Sequence, residues 1–269
     1  MVKVYRDLIK KRYNINDLLE IMSILRSEKG CPWDREQTHS SIRNDLLEEA
    51  YEVAEAIDKN DKDALAEELG DLLLQVVFHS QISSEENNFN FDDVADGICN
   101  KLIYRHPHIF SNTVADTPEE VLENWDKLKQ KEKDMTSFTD TLKAVPTAFP
   151  ACMRAQKVQK RAGKAGYDFE NITAAIEKVE EELSELKQAL VLGKPTAAAD
   201  ELGDLIFSAV NVSRFLKVDS EEQLSKAVDK FISRFEKAER LAEQENSKLD
   251  QLTPDQLDTI WIKAKLSER

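Results

Sequence analysis

Apolar residues recur at spacings of three and four through ten stretches of this 269-residue chain, roughly 15–27, 42–58, 63–82, 92–104, 119–132, 150–162, 173–191, 197–216, 221–243 and 254–266. Such spacing gathers side chains on one face of a helix, and no stretch alternates convincingly as a half-buried strand does, so the pattern predicts an all-α protein. Start signals support it. Thr117-Pro118-Glu119-Glu120 and Thr253-Pro254-Asp255-Gln256 each place Thr at a cap, Pro at the first helical position and Glu or Gln at the third, and Ser220 with Gln223 reads as a further capping box. The periodicity breaks in 134–150, "DMTSFTDTLKAVPTAFP", where Ser, Thr and two prolines mark a connector. The expected organisation is a domain over 1–134, a connector over 135–149 and a second domain over 150–269.

The polar positions repeat across that boundary. Trp33-Asp34 precedes Glu48-Glu49-x-x-Glu52 as Tyr167-Asp168 precedes Glu181-Glu182-x-x-Glu185, and fifteen residues then lead to Glu68-Leu69-Gly70-Asp71 in one half and Glu201-Leu202-Gly203-Asp204 in the other. Lys101 and Arg105 match Lys230 and Arg234, and the Thr-Pro caps lead to Trp125-x-Lys127-x-Lys129 and Trp261-x-Lys263-x-Lys265. The offset is 133 or 134, then 129, then 136, so order is kept while loops change length. The chain reads as a duplicated helical domain.

Charge narrows the function classes. With 37 Lys+Arg against 52 Asp+Glu the net formal charge is -15, which disfavours nucleic acid polymers and anionic membranes as partners and favours a bound cation. Cys31, Cys99 and Cys152 form no CxxC pair, which argues against a disulfide framework or a thiolate zinc site. The N-terminus "MVKVYRDLIKKRYNIND" has no apolar signal core and no apolar run is long enough to span a bilayer, so a cytoplasmic protein is expected.

A lone ExxE on a helix is ordinarily a solvated face. Here Glu182 and Glu185 share a helix face, with Glu181 one step aside, and Glu201 and Asp204 do the same on the next helix after a turn at Gly193-Lys194-Pro195. Leu202, Leu205, Ile206 and Phe207 surround the second pair with apolar surface, where an unpaired carboxylate is costly. Oxygen donors without Cys or His suit a hard cation, Mg²⁺ or Mn²⁺, rather than zinc. The first half can build the same set from Glu48, Glu49, Glu52, Glu68 and Asp71. Gly70 and Gly203 sit within helical patterns at a cost of about 1 kcal/mol each relative to Ala, which suggests that a neighbouring backbone or a ligand approaches closely there.

Lys230 and Arg234, four apart, present two cations as phosphate recognition needs, although for that pair alone surface ion pairing is the better explanation. Trp261 and Lys265 offer an indole to stack on a base and an ammonium one turn on for a phosphate, with a core Trp beside a surface Lys as the plainer alternative. His106-Pro107-His108 is better explained by a turn or by packing than by a metal. Glu36-x-x-His39 stands alone where a di-iron bundle needs two facing sets, and Cys31 reads as a structural thiol.

These motifs, with "GCPWDREQTH", "LLEEAYEV", "EELGDLLLQVVFHSQ", "RHPHIF" and "MRAQKVQKR", resemble the MazG family of nucleoside triphosphate pyrophosphohydrolases in its two-domain bacterial form, over nearly the whole chain. The resemblance implies Mg²⁺-dependent hydrolysis of a nucleoside triphosphate to monophosphate and pyrophosphate by a homodimer with four-helix units, the C-terminal copy carrying the main activity. By motif position it makes Glu182, Glu185, Glu201 and Asp204 metal ligands, has Glu181 orient or deprotonate the attacking water, and adds Lys178, Glu181, Asp200, Asp204, Lys230, Arg234, Trp261 and Lys265 as nucleotide contacts. Glu49, Glu52, Glu68 and Asp71 are the matching ligands of the first copy, with Glu48, Lys101, Arg105, Trp125 and Lys129 as its other site candidates. "RHPH" has no counterpart in the second copy and sets the first pocket apart. The expected role is nucleotide-pool cleaning or stress-linked nucleotide control, with a regulatory protein partner possible. The rival reading is a non-catalytic helical module binding a nucleotide or a protein; hydrolysis of another phosphate compound lies between the two.

Overall fold

The structure is a computed structural model describing residues 9–10, 12–111, 117–132 and 135–267; the side chains of 119, 122, 123, 126, 127 and 130 are not part of the description. Most of the N-terminal stretch and residue 134, where the first domain was expected to end, lie outside the described residues. Among the described residues there is no strand, and the chain is all-α. Each of the ten periodic stretches is a helix. The chain divides into two units, Met1–Lys129 and Gln130–Arg269.

In the first unit, α1 (Ile15–Leu25), α3 (Arg43–Asp58), α4 (Lys62–Glu85) and α5 (Phe91–Arg105) are joined by the short helices α2 (Pro32–Glu36) and α6 (Pro107–Phe110), with α7 (Pro118–Glu132) crossing the division. Helix ends are chemically specified: Asn14 with Asp17, and Asn90 with Asp93, form capping boxes at α1 and α5. Met22, Ile42, Val77, Phe78 and Ile82 form the core, tying α1 and the start of α3 to α4. Buried Arg26 holds the segment carrying α2. Its Nε and Nη2 donate to Glu85 at 3.0 and 2.8 Å, and its Nη1 donates to the carbonyls of Asp34 and Gln37.

In the second unit, α8 (Phe138–Lys143) and α9 (Ala151–Lys164) precede the long α10 (Ile172–Val191), α11 (Pro195–Leu216) and α12 (Ser220–Gln244), and a 3₁₀ turn leads to α13 (Pro254–Leu266). Helix α8 lies inside the segment expected to be a connector. Ser137 and Asp140 form its capping box, it packs on α9, and Arg161 Nη1 donates to the Thr141 carbonyl. Six residues are too few for apolar periodicity to register, which is why the sequence pattern passed over it. The Thr253–Gln256 capping box forms as expected, and Thr117 Oγ1 accepts from the Glu120 N–H at 3.2 Å. Ser220 does not cap α12. Asp219 does, accepting from the N–H groups of Glu221 and Glu222, while the Ser220 hydroxyl turns to Gln156 Oε1 at 3.0 Å.

Two helical hairpins carry the repeated acids. α3 and α4 pack together across residues 59–61, and α10 and α11 across residues 192–194, where Gly193 takes φ of 63° that a side chain would strain. α12 and α13 pack through Ala238, Ala242, Ile260 and Ala264, the three alanines letting the two helix backbones come close around the isoleucine.

Candidate functional site

Both hairpins bring their acids together. Glu182, Glu201 and Asp204 each offer a carboxylate oxygen within 4.8 Å of the others, and so do Glu49, Glu68 and Asp71. The remaining member of each set stands beside its trio: Glu185 within hydrogen-bonding range of Glu201, and Glu52 within range of Glu49 and Glu68.

Crowding like charges has an electrostatic signature. Glu201 has its carboxyl pushed above the ordinary range by partial burial and then by repulsion from Glu185 and Glu182. Glu49 is raised by burial, then by Asp71 and Glu52; Glu68 is raised by burial, then by Glu52. Glu182 is only 5% exposed, and its charge is met by Lys178 Nζ at 2.8 Å, one turn earlier on α10. The same ammonium reaches Glu181 at 3.0 Å, and the two carboxylates raise the Lys178 pKa, Glu182 most. By the repeat offset of 133, Asp45 occupies the corresponding place in the first hairpin, so that set lacks the lysine. A donor set of carboxylate oxygens that repel one another fits a hard divalent cation.

A cavity of about 500 Å³ adjoins the second acid set, with Lys178, Glu182 and Asp204 at its wall beside Leu142, Val158, Phe169 and Phe207. Asp168 and Arg214, 46 residues apart, meet at this wall as an ion pair. Gly163 permits that pairing, because a Cβ there would lie 2.6 Å from Asp168 Oδ2 and 2.9 Å from Arg214 Nη1. Gln159, Ser208, Asn211 and Arg214 are polar wall residues that motif spacing missed; Gln159 stands within the "MRAQKVQKR" stretch, where nothing in the spacing singled it out.

The other expected contacts lie elsewhere on the chain. Lys230 and Lys265 are exposed, and none of the described contacts joins them to the acids. Arg234 is partly buried on α12, and Trp261 rests on Phe231 with ring centroids 5.2 Å apart. Asp200 and Glu48 are exposed beside their acid sets. In the first unit Arg105 lies over the Trp125 ring at 5.8 Å, Lys129 is partly buried, and Lys101 is exposed. His106 packs its ring edge-on to Trp125 at 5.0 Å and its Nδ1 lies 2.6 Å from the Leu102 carbonyl, so "RHPH" closes a helix end. His39 pairs with His79, Nδ1 to Nδ1 at 2.7 Å. At Gly70 and Gly203 an added Cβ would meet no atom within 4 Å, so the close neighbour expected at both glycines is not supplied by the described residues.

The model of the MazG nucleotide pyrophosphohydrolase domain matches residues 37–110 and 170–238, one match over each acid hairpin. A Thermotoga maritima protein named nucleoside triphosphate pyrophosphohydrolase/pyrophosphatase MazG is 44% identical over 249 residues, covering 93% of this chain and 94% of its own. The Escherichia coli nucleoside triphosphate pyrophosphohydrolase is 40% identical over 259 residues, covering 94% of this chain and 98% of its own. A crystal structure of a mazG-related protein from Thermotoga maritima aligns with a TM-score of 0.38 at 28% identity, over 43% of this chain and 99% of that one.

Proposed function

The chain belongs to the MazG nucleotide pyrophosphohydrolase family, and on that premise we propose that it hydrolyses nucleoside triphosphates to the monophosphate and pyrophosphate in a Mg²⁺-dependent reaction, Mn²⁺ being able to substitute. The observation that carries the proposal is the acid set of the α10–α11 hairpin, four carboxylates drawn together beside a cavity able to receive a nucleotide. Glu182, Glu185, Glu201 and Asp204 would hold the cation. When bound, it supplies charge for the phosphate oxygens and lowers the pKa of a bound water. Glu181 would orient a water or take its proton at a carboxylate oxygen; Lys178, which bridges Glu181 and Glu182, would hold both in position and offer an ammonium to a phosphate.

We assign the two-domain organisation to the duplication, one acid hairpin per domain, with the C-terminal one as the main catalytic centre. A second copy of the chain supplies the missing contacts in this reading. Helix α12 exposes Leu224, Val228, Phe231, Ile232 and Phe235, and an apolar stripe of that length calls for cover. Pairing two chains through it would complete four-helix units and offer Lys230, Arg234, Trp261 and Lys265 to a nucleotide. The physiological role proposed is cytoplasmic control of nucleotide pools, routine or stress-linked. No helix among the described residues is long and apolar enough to cross a membrane.

The test is direct. The Glu182→Ala, Glu185→Ala double variant should lose release of pyrophosphate from triphosphates with Mg²⁺. Turnover at the parental rate would sink the C-terminal assignment, and the same pair at Glu49 and Glu52 reports whether the first copy turns over. Light-scattering mass in solution tests the homodimer.

A further inference from the structure

Helix α9 is charged unlike the chain around it. Its 14 residues carry Arg154, Lys157, Lys160, Arg161 and Lys164 and no Asp or Glu, in a protein of net formal charge -15. Lys157 with Lys160, and Lys160 with Lys164, stand three and four apart, spacings at which like charges repel and weaken a helix. Arg161 is turned to the Thr141 carbonyl, but Lys157 and Lys160 reach a surface cavity of about 620 Å³ at the end of α11 and the start of α12.

Arg214 and Lys217 line the same cavity from the end of α11, so four cations face one acid, Asp219. That acid is already engaged: its Oδ1 accepts from the N–H groups of Glu221 and Glu222, each at 3.0 Å, as the cap of α12. Glu221 in turn accepts from the Met153 N–H at 3.1 Å. Arg214 is held by Asp168 and Asn211. Among the described residues no carboxylate pairs with Lys157, Lys160 or Lys217; Lys157 Nζ lies over the Phe149 ring at 5.5 Å. The first N–H of α12 is given to Gln156 Oε1 and the next two to Asp219, so the lysines, not the helix end, are the groups left to meet an anion.

We propose that this cavity is a binding site for a diphosphate group, as free pyrophosphate or as the tail of a nucleoside diphosphate. Three ammonium groups around one space match an anion with several charges, and a single phosphate would leave part of that positive charge unmet. A long nucleic acid would meet the negative field of the remaining surface. The site is separate from the metal acids: none of them lines it, and Arg214 and Lys217 stand ten and thirteen residues beyond Asp204, about 15–20 Å along the helix.

Calorimetric titration with pyrophosphate and with ADP, in EDTA so that no divalent cation bridges ligand to carboxylate, reads the site directly. The unaltered protein should bind, and the Lys157→Gln, Lys160→Gln double variant should bind at least about tenfold more weakly, as the loss of charged hydrogen bonds entails. Both lysines are exposed, and thermal melting checks the fold; Lys217→Gln, on another helix, should by itself weaken binding several-fold and decides the matter if the double variant unfolds. The Glu182→Ala, Glu185→Ala variant should keep the parental affinity, so hydrolysis can fail with this binding intact and this binding can fail with hydrolysis intact. Tighter binding of ADP than of pyrophosphate assigns the site to a nucleotide tail, and equal or weaker binding assigns it to the free diphosphate. Absence of binding by the unaltered protein overturns the proposal. So does a loss in the lysine variants no larger than in Lys187→Gln, an exposed lysine of α10, or a loss found instead in Lys230→Gln, Arg234→Gln.

Discussion

Gly203→Ala separates what the chain does by itself from what approaches it from outside. Gly203 is exposed near the middle of α11, well inside a 22-residue helix, and a Cβ built there meets nothing within 4 Å. With no packing term to offset it, the substitution should express the full helix preference of Ala over Gly, about 1 kcal/mol of added stability. That is roughly a fivefold shift in the unfolding equilibrium, or about 2–4 °C in melting temperature for a chain of this size. The assay is thermal unfolding by circular dichroism without nucleotide or metal, repeated over a hundredfold range of protein concentration. A loss of stability independent of concentration would refute the argument, because only the chain's own atoms can then be responsible. A loss that grows with concentration identifies a second copy as the neighbour, since association couples stability to mass action. Should stability rise while turnover falls, the glycine serves the nucleotide, and the residue's cost to the helix is accounted for by function.

Three further variants test the site and the cores. Glu201→Gln should raise the melting temperature of the metal-free protein at neutral pH: a carboxyl whose folded pKa is raised contributes stability that is complete below its unfolded pKa, near 4.5, and lost as pH rises through the folded value, and the variant should lack that decline. The same variant should lose most of the stabilisation Mg²⁺ gives the parent, about 2.7 kcal/mol at a concentration of one hundred Kd, read by calorimetric melting. Glu85→Gln should destabilise the first unit by about 1–3 kcal/mol in chemical denaturation, since it removes the charge opposite the nearly buried Arg26 guanidinium and leaves one amide oxygen where two carboxylate oxygens accept. Although burial opposes the Glu85 charge, hydrogen bonds from Arg26 and Gln81 hold its pKa below the usual carboxylate value, so the parent keeps this stability above about pH 4.5 and loses it as pH falls through the lowered folded value, a loss the variant should not show. Gly163→Ala displaces the Asp168–Arg214 pair at the tips of flexible side chains, so it should fold, lose less than about 1 kcal/mol, and raise KM for triphosphates several-fold in steady-state kinetics.

Local order along the chain was legible without coordinates. Periodicity located the long helices, Thr253 with Gln256 marked the start of α13, and two ExxE plus ExxD sets fifteen residues apart fixed which carboxylates meet, because a helical hairpin leaves few ways to join neighbours so close in sequence. Asp219 was missed as a cap because Ser220 beside it makes an equally good local signal, and the choice falls to Gln156, 64 residues away, which draws the Ser220 hydroxyl to itself. The pairing of Asp168 with Arg214, of His39 with His79, and of Gln159 with the Phe207 carbonyl likewise joins residues forty or more positions apart. Helix spacing dictates which side chains share a face, a property of 3.6 residues per turn. Which faces then meet depends on how whole helices settle against one another, and only the tertiary structure decides that.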